Sequence, residues 1–165
     1  MYFEIPGTSV RVLGSLHMIP ASAGPLPTWV TDAYEWCEAI VHEHDNAQVL
    51  PCMQGDVPLR TILRPATRSA LMAALPNQQL RAEIEALRPW AALIKPIGSM
   101  QSAQPGVEAH VLSRAAVDRK PLQALETAGD LRRAFDSAPL VAIEDALDRV
   151  LQDPQQLQQR FEALY

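Results

Sequence analysis

The chain has 165 residues, 48% of them apolar, a formal charge of −5 and a pI near 5.3. That length supports one domain burying ~70% of the surface its unfolded form exposes, and it does not call for two. Of the 14 basic side chains only Lys95 and Lys120 are lysines and the arginines are scattered, so there is no basic stripe to neutralise phosphates and nucleic acid is not expected as a partner. No apolar run approaches the ~20 residues of a membrane helix, and Met1 leads directly into a strand-like segment instead of a charged and then apolar leader. As written, the chain reads as soluble, unexported and cytoplasmic. Cys37 and Cys52 form no Cys-x-x-Cys pair and are expected to be ordinary reduced thiols.

Tyr2 to Ile5 and Ser9 to Leu13 flank Pro6-Gly7-Thr8, a turn that joins antiparallel strands, so the chain is expected to open with a β-hairpin that sets Val10 and Val12 opposite Arg11. The second strand runs through Gly14 to His17, after which Pro20, Pro25 and Pro27 predict an irregular loop. From Thr28 to Ala39 the apolar residues Trp29, Val30, Ala33, Trp36 and Cys37 recur at helical steps. A third strand, Ala39 to His44, follows. Together these segments read as a strand, a crossover and a strand. If the two runs are parallel neighbours, His17 and the residues from His42 to Asp45 share the carboxyl edge where open α/β sheets carry their sites.

Pro51, Gly55 and Pro58 predict irregular structure between Val49 and Pro65, followed by short helices at Ser69 to Leu75 and Gln78 to Leu87. Arg88-Pro89-Trp90 is expected to stop the second of these, ahead of a short apolar segment from Ala91 to Ile97. Gly98 to Gly106 reads as a lid, a hinge or a plain linker. A helix is expected from Val107 to Ala116, closed before Lys120-Pro121, then a short strand from Leu122 that ends in Glu126-Thr127. Thr127 and Asp130 resemble a capping pair for a helix holding Leu131 and Phe135. Pro139 to Leu151 and the segment after Asp153-Pro154 read as further helices, the last with Leu157, Phe161, Leu164 and Tyr165 on its apolar side. The fold class is therefore α/β: a small mixed sheet with a hairpin and a βαβ crossover, packed by several helices, with a helical C-terminus.

A histidine at one strand end and an acid on the next can hold a divalent metal that acidifies bound water, with a further carboxylate as general base. The candidates are His17, Glu43 and Glu126. A His and a Glu at strand ends are more often solvated or hydrogen-bonded structural residues. His42 and His44 share one strand face like a metal fork, but no third histidine joins them at a suitable spacing. His110, on an amphipathic helix, reads as a satisfied or surface histidine, and Glu108 as a carboxylate favoured by the helix N-terminus. Trp29 and Trp36 read as core on one helix face. The chain carries no Gly-x-Ser-x-Gly elbow, phosphate loop, Gly-x-Gly-x-x-Gly or His-Glu-x-x-His motif.

The run Val12-Leu13-Gly14-Ser15-Leu16-His17-Met18-Ile19-Pro20, the Leu26-Pro27-x-Trp29-Val30 opening of the helix and the acid Glu43 resemble the TraB/GumN family, which includes the Tiki proteins. The likeness continues through Arg88-Pro89-Trp90, Gly106-Val107-Glu108, Ala115-Ala116 and Lys120-Pro121-Leu122-x-x-Leu125-Glu126-Thr127, in order along nearly the whole chain. The resemblance implies a fold related to erythromycin esterase-like proteins. For Tiki-like members it implies metal-dependent proteolysis by Gly-x-x-His motifs and acids; other members are tied to pheromone shutdown or polysaccharide loci. Carried onto this chain, it makes His17 a metal ligand, Glu43 a ligand or general base, Glu126 a second catalytic acid and Glu108 a further acidic metal position, with Mn²⁺, Co²⁺ or Zn²⁺ as cofactor. Family members run to about twice this domain's strand and helix content and carry a second Gly-x-x-His near the C-terminus. That motif has no counterpart before Tyr165, so a half-length version of the domain is expected. The expectation is a single TraB/GumN-like domain over residues 1–165 acting as a metal-dependent, protease-like hydrolase on a peptide or small molecule, with homodimerisation as one way to complete its site. The alternative is a shortened, non-catalytic binding or interaction module.

Overall fold

The computed structural model describes residues 2–15, 17–100 and 103–163. Leu16, residues 101–102 of the expected 98–106 loop, and Leu164 and Tyr165 of the last apolar stripe lie outside the described residues. The class is mixed α/β with a helical C-terminus, as the sequence predicts. Its strands pair two by two. β1 (Tyr2–Glu4) runs antiparallel to β2 (Arg11–Leu13), β3 (Met18–Pro20) antiparallel to β5 (Ala103–Pro105), and β4 (Ile40–His44) lies parallel to β6 (Leu122–Glu126). Among the described residues, the run ending at His17 and the run ending at His44 therefore have different partners and are not paired with each other.

The chain divides into two compact units, one comprising residues 1–42, 102–125 and 161–165, the other residues 43–101 and 126–160. In the first, the hairpin turn closes through the Ile5 N–H to Val10 O (3.1 Å) and Thr8 N–H to Ile5 O (3.2 Å), with Gly7 at φ +75°. Pro6 followed by a positive-φ glycine is the type II pattern. The hairpin's polar face packs inward: Arg11 lies 3.7 Å over the Trp36 ring, and Tyr2 tilts against Trp29 at 6.3 Å. Phe3, Ile5, Val10 and Val12 face outward and are exposed. A guanidinium over an indole satisfies charge and contact together, which lets Arg11 take the packed side.

α1 (Thr28–Trp36) buries Val30 and Tyr34, and Trp36 stays exposed, so the expectation of two core tryptophans on one face is corrected. The C-terminal end of α1 is held by Lys120, whose Nζ donates to Tyr34 O at 2.6 Å and Cys37 O at 2.5 Å. A cation there also complements the helix dipole. α6 (Val107–Asp118) ends at Arg119 with φ 54°. This left-handed residue turns the chain so that the Lys120 N–H reaches Ala115 O (3.0 Å) and β6 can begin. The Tyr34 hydroxyl donates to Asp118 Oδ2 at 2.7 Å. Burial, then the Asp118 bond, push the Tyr34 phenol up to about 12.

The second unit is helical. α2 (Asn46–Cys52) starts where the Asp45 carboxylate accepts from the Ala47 N–H (2.9 Å), and it carries helix through Val49 to Cys52, the beginning of the stretch expected to be irregular. A 3-10 turn, Leu59–Thr61, leads to α3 (Pro65–Ala74), and Asn77 caps α4 (Gln78–Glu85). Pro89 begins α5 (Pro89–Met100) instead of ending a helix, since the first helical position needs no N–H partner. α7 (Ala128–Asp136) opens on the expected capping box of Thr127 and Asp130, and α8 (Leu140–Gln152) and α9 (Pro154–Ala163) follow. Leu59, Leu71, Leu75, Ile84, Leu87 and Leu147 are all under 3% exposed and form one core with Trp90 and Ile143. α8 packs on α3 and α5, and its buried Glu144 accepts the Arg64 N–H at 2.5 Å and pairs with Arg64 Nε at 3.2 Å. Trp90 donates its indole N–H to Asp136 Oδ1 (3.0 Å) and stacks on Phe135.

Two measurements check this packing. Leu71→Ala empties a site with no exposed surface and is expected to lower unfolding free energy by ~2–5 kcal/mol in denaturant titrations, against under ~0.5 kcal/mol for Val117→Ala at an 80% exposed position. The fold favours the neutral Tyr34 phenol, so this stabilisation is complete below the unfolded pKa near ~10 and is lost as pH rises through about 12. Phenolate absorbance is expected to show a late-titrating component that is absent in Tyr34→Phe.

Candidate active site

His17 follows Gly14-Ser15 and immediately precedes β3. The expected irregular loop is a strand here because Pro20 occupies the last position of a two-stranded pair, where its missing N–H removes little. The register sets Met18 opposite Pro105 and Ile19 opposite Gln104. One step further along the ladder, the Gly106 N–H donates to His17 O at 3.0 Å. Gly106 is the N-cap of α6, and Glu108 lies in that helix's first turn. Pairing of β3 with β5 thus carries an imidazole to the positive end of a helix that already favours a carboxylate. The two side chains meet there in a close contact between His17 Nδ1 and Glu108 Oε2.

Their environments differ. The Glu108 side chain is 14% exposed and that of His17 is 61% exposed. A carboxylate accepting at Nδ1 keeps the ring proton on that nitrogen and places the ring's lone pair on Nε2. The pair is therefore an oriented histidine with an acid behind it, a unit of the kind that serves general acid–base chemistry or metal ligation. The elements carrying it also line an open groove of about 760 Å³, with Ile19, Leu26, Gln104, His110, Ser113 and Arg114 among its walls. His110 is exposed on α6, in keeping with a surface histidine.

Glu43 and Glu126 belong to the second unit. Glu43 lies on the exposed side of β4 with Val41, while His42 and His44 share its half-buried side, so the alternation read from the sequence holds. Glu126 is the last residue of β6 and is exposed. Among the described residues no group of three or more His, Cys, Asp or Glu side chains is gathered in a way that holds a metal ion. Cys37 and Cys52 are free thiols.

The family resemblance set His17 and Glu108 in one metal site, but the residue pattern alone does not predict their direct contact, because they stand 91 residues apart. The available signal was the pair of short segments ending in Pro20 and Pro105, which the prolines disguised as loops. Sequence reasoning also passed over Tyr34 and Asp118 and took Lys120 for a helix stop. A lysine just beyond one helix and an unassigned tyrosine in another carry no periodic signature.

No curated protein and no solved structure matches the chain. The model of the TraB/PrgY/gumN family matches residues 3–165, which is nearly its full length and takes in His17, Glu43, Glu108 and Glu126. The chain belongs to the TraB/PrgY/gumN family.

Proposed function

We propose that the chain is a hydrolase centred on His17 and Glu108, with a divalent metal as its cofactor. The observation that carries this reading is the contact between His17 Nδ1 and a largely buried carboxylate at the α6 N-terminus. Histidines that ligate metals generally hand their second ring nitrogen to such a carboxylate, which fixes the tautomer and raises the basicity of the other nitrogen. In this reading Nε2 of His17 is the working atom, and Glu108 acts behind it as the orienting acid.

Imidazole nitrogen and carboxylate oxygen are donor types that suit Mn²⁺, Co²⁺ and Zn²⁺. In number they fall short, since a catalytic zinc takes three protein ligands and this pair presents one nitrogen with one carboxylate behind it. A bound ion supplies Lewis-acid polarisation and an acidified water. The chain's own contribution is to hold the imidazole in one tautomer against Glu108 and to offer, along β3, β5 and α6, a groove for substrate. Glu43 and Glu126 enter on the family resemblance alone, Glu43 as ligand or general base and Glu126 as second acid. The whole chain is read as one functional domain, a reading supported by a family match that runs through both compact units.

A non-catalytic binding module is the second reading, and it draws on the same contact: a histidine engaged by a protein carboxylate is also what a structural ion pair looks like.

Calorimetric titration with MnCl2 and ZnCl2 separates the two. The hydrolase reading expects saturable uptake by the native protein, loss of uptake in His17→Ala, and a drop of ~10–100-fold in affinity for Glu108→Gln. A native protein that takes up neither ion overturns it and leaves the binding module. Uptake unchanged in His17→Ala removes His17 from any metal site.

A further inference from the structure

Lys120 and Cys37 form a second chemically competent pair, in the first unit and outside the His17–Glu108 site. The Lys120 Nζ donates to Tyr34 O at 2.6 Å, and the Cys37 thiol donates to the same oxygen at 3.2 Å. Two donors converging on one carbonyl are held side by side, and Nζ stands 3.8 Å from Sγ. Two further contacts fix the amine in place. Cys37 O accepts from it at 2.5 Å, and the ring of Tyr34 lies 4.1 Å from it. Tyr34 itself is 4% exposed and pinned through its hydroxyl to Asp118. Cys37 is half-buried and its thiol is free of any disulfide.

We propose that Lys120 and Cys37 are a redox modification site, at which a peroxide joins Nζ to Sγ through a single oxygen atom. Nucleophilic sulfur beside a positive charge is the setting in which thiols oxidise selectively. The first step breaks the Cys37 S–H bond, forms an S–O bond with one peroxide oxygen and releases water, which leaves a sulfenic acid. In the second, Lys120 gives one proton to solvent and reacts as the free amine. The amine and the sulfenic acid each lose one hydrogen to a second peroxide, which is reduced to two waters as the N–O bond closes. The product ties the C-terminal end of α1 to the start of β6 by a covalent bond in place of hydrogen bonds. Excess thiol reduces the bridge back to amine, thiol and water.

The test treats the full chain with hydrogen peroxide and follows intact mass and digested peptides. A Cys52→Ser background excludes disulfides with the other cysteine. The expected product gains one oxygen and loses two hydrogens, yields a peptide joining Cys37 to Lys120, reverts with dithiothreitol, and is absent from Cys37→Ser and Lys120→Arg. The cross-linked peptide is sought in the protein with both side chains intact, so the result stands even if Lys120→Arg does not fold. Oxidation of Cys37 to a sulfinic acid with Lys120 unmodified overturns the proposal, as does the same mass change in folded Lys120→Arg.

Discussion

One backbone hydrogen bond brings His17 to Glu108: Gly106 N–H to His17 O, the continuation of the β3–β5 ladder. Side-chain direction alternates along a strand, so a slip of one residue in that pairing would turn His17 away from Glu108. The same bond fixes the start of α6, because its donor is the helix N-cap. Strand register, helix entry and the meeting of imidazole with carboxylate are thus one geometric event. The helix end contributes a favourable field for Glu108, and the low exposure of that carboxylate strengthens its hold on the ring.

Around that ladder the first unit relies on polar anchors. β1, β2, β3 and β5 are three residues long each, and among its described residues the unit buries few apolar side chains: Ile19, Val30, Tyr34, Val107 and Ala115. Lys120 compensates by satisfying the last carbonyls of α1 and lying against the Tyr34 ring. Arg114 sits over the same ring and pairs with Glu35 and Asp118, whose carboxylates hold its guanidinium in the charged form. The second unit is built the other way, from a leucine-rich core in which charge appears at helix ends. There Glu144 meets the N-terminus of α3, and Thr127 and Asp130 close the first turn of α7.

Local features were legible in the sequence. The Thr127–Asp130 capping box, the Pro6–Gly7 turn, the alternation of β4 and the helical stripes depend on residues within a turn or two of each other. Misreadings came from prolines whose meaning depends on position. Pro20 and Pro105 close a two-stranded ladder, Pro51 sits in a helix after Asp45 has capped it, and Pro89 starts a helix. Arg11 went inward and Val12 outward because Trp36 offers the guanidinium a ring, a tertiary fact that alternation cannot encode. For the site, His17 and Glu108 were both visible as chemistry, but their union needs a non-local strand pair and no period or spacing records it.

The central claim is that His17, oriented by Glu108, is the working group of a hydrolase. Its most direct measurement is a crystal structure grown with Mn²⁺ or Zn²⁺ and read by anomalous scattering. The account predicts an ion at His17 Nε2, with Glu108 still on Nδ1. An ion bound elsewhere, with none at His17 Nε2, would contradict it.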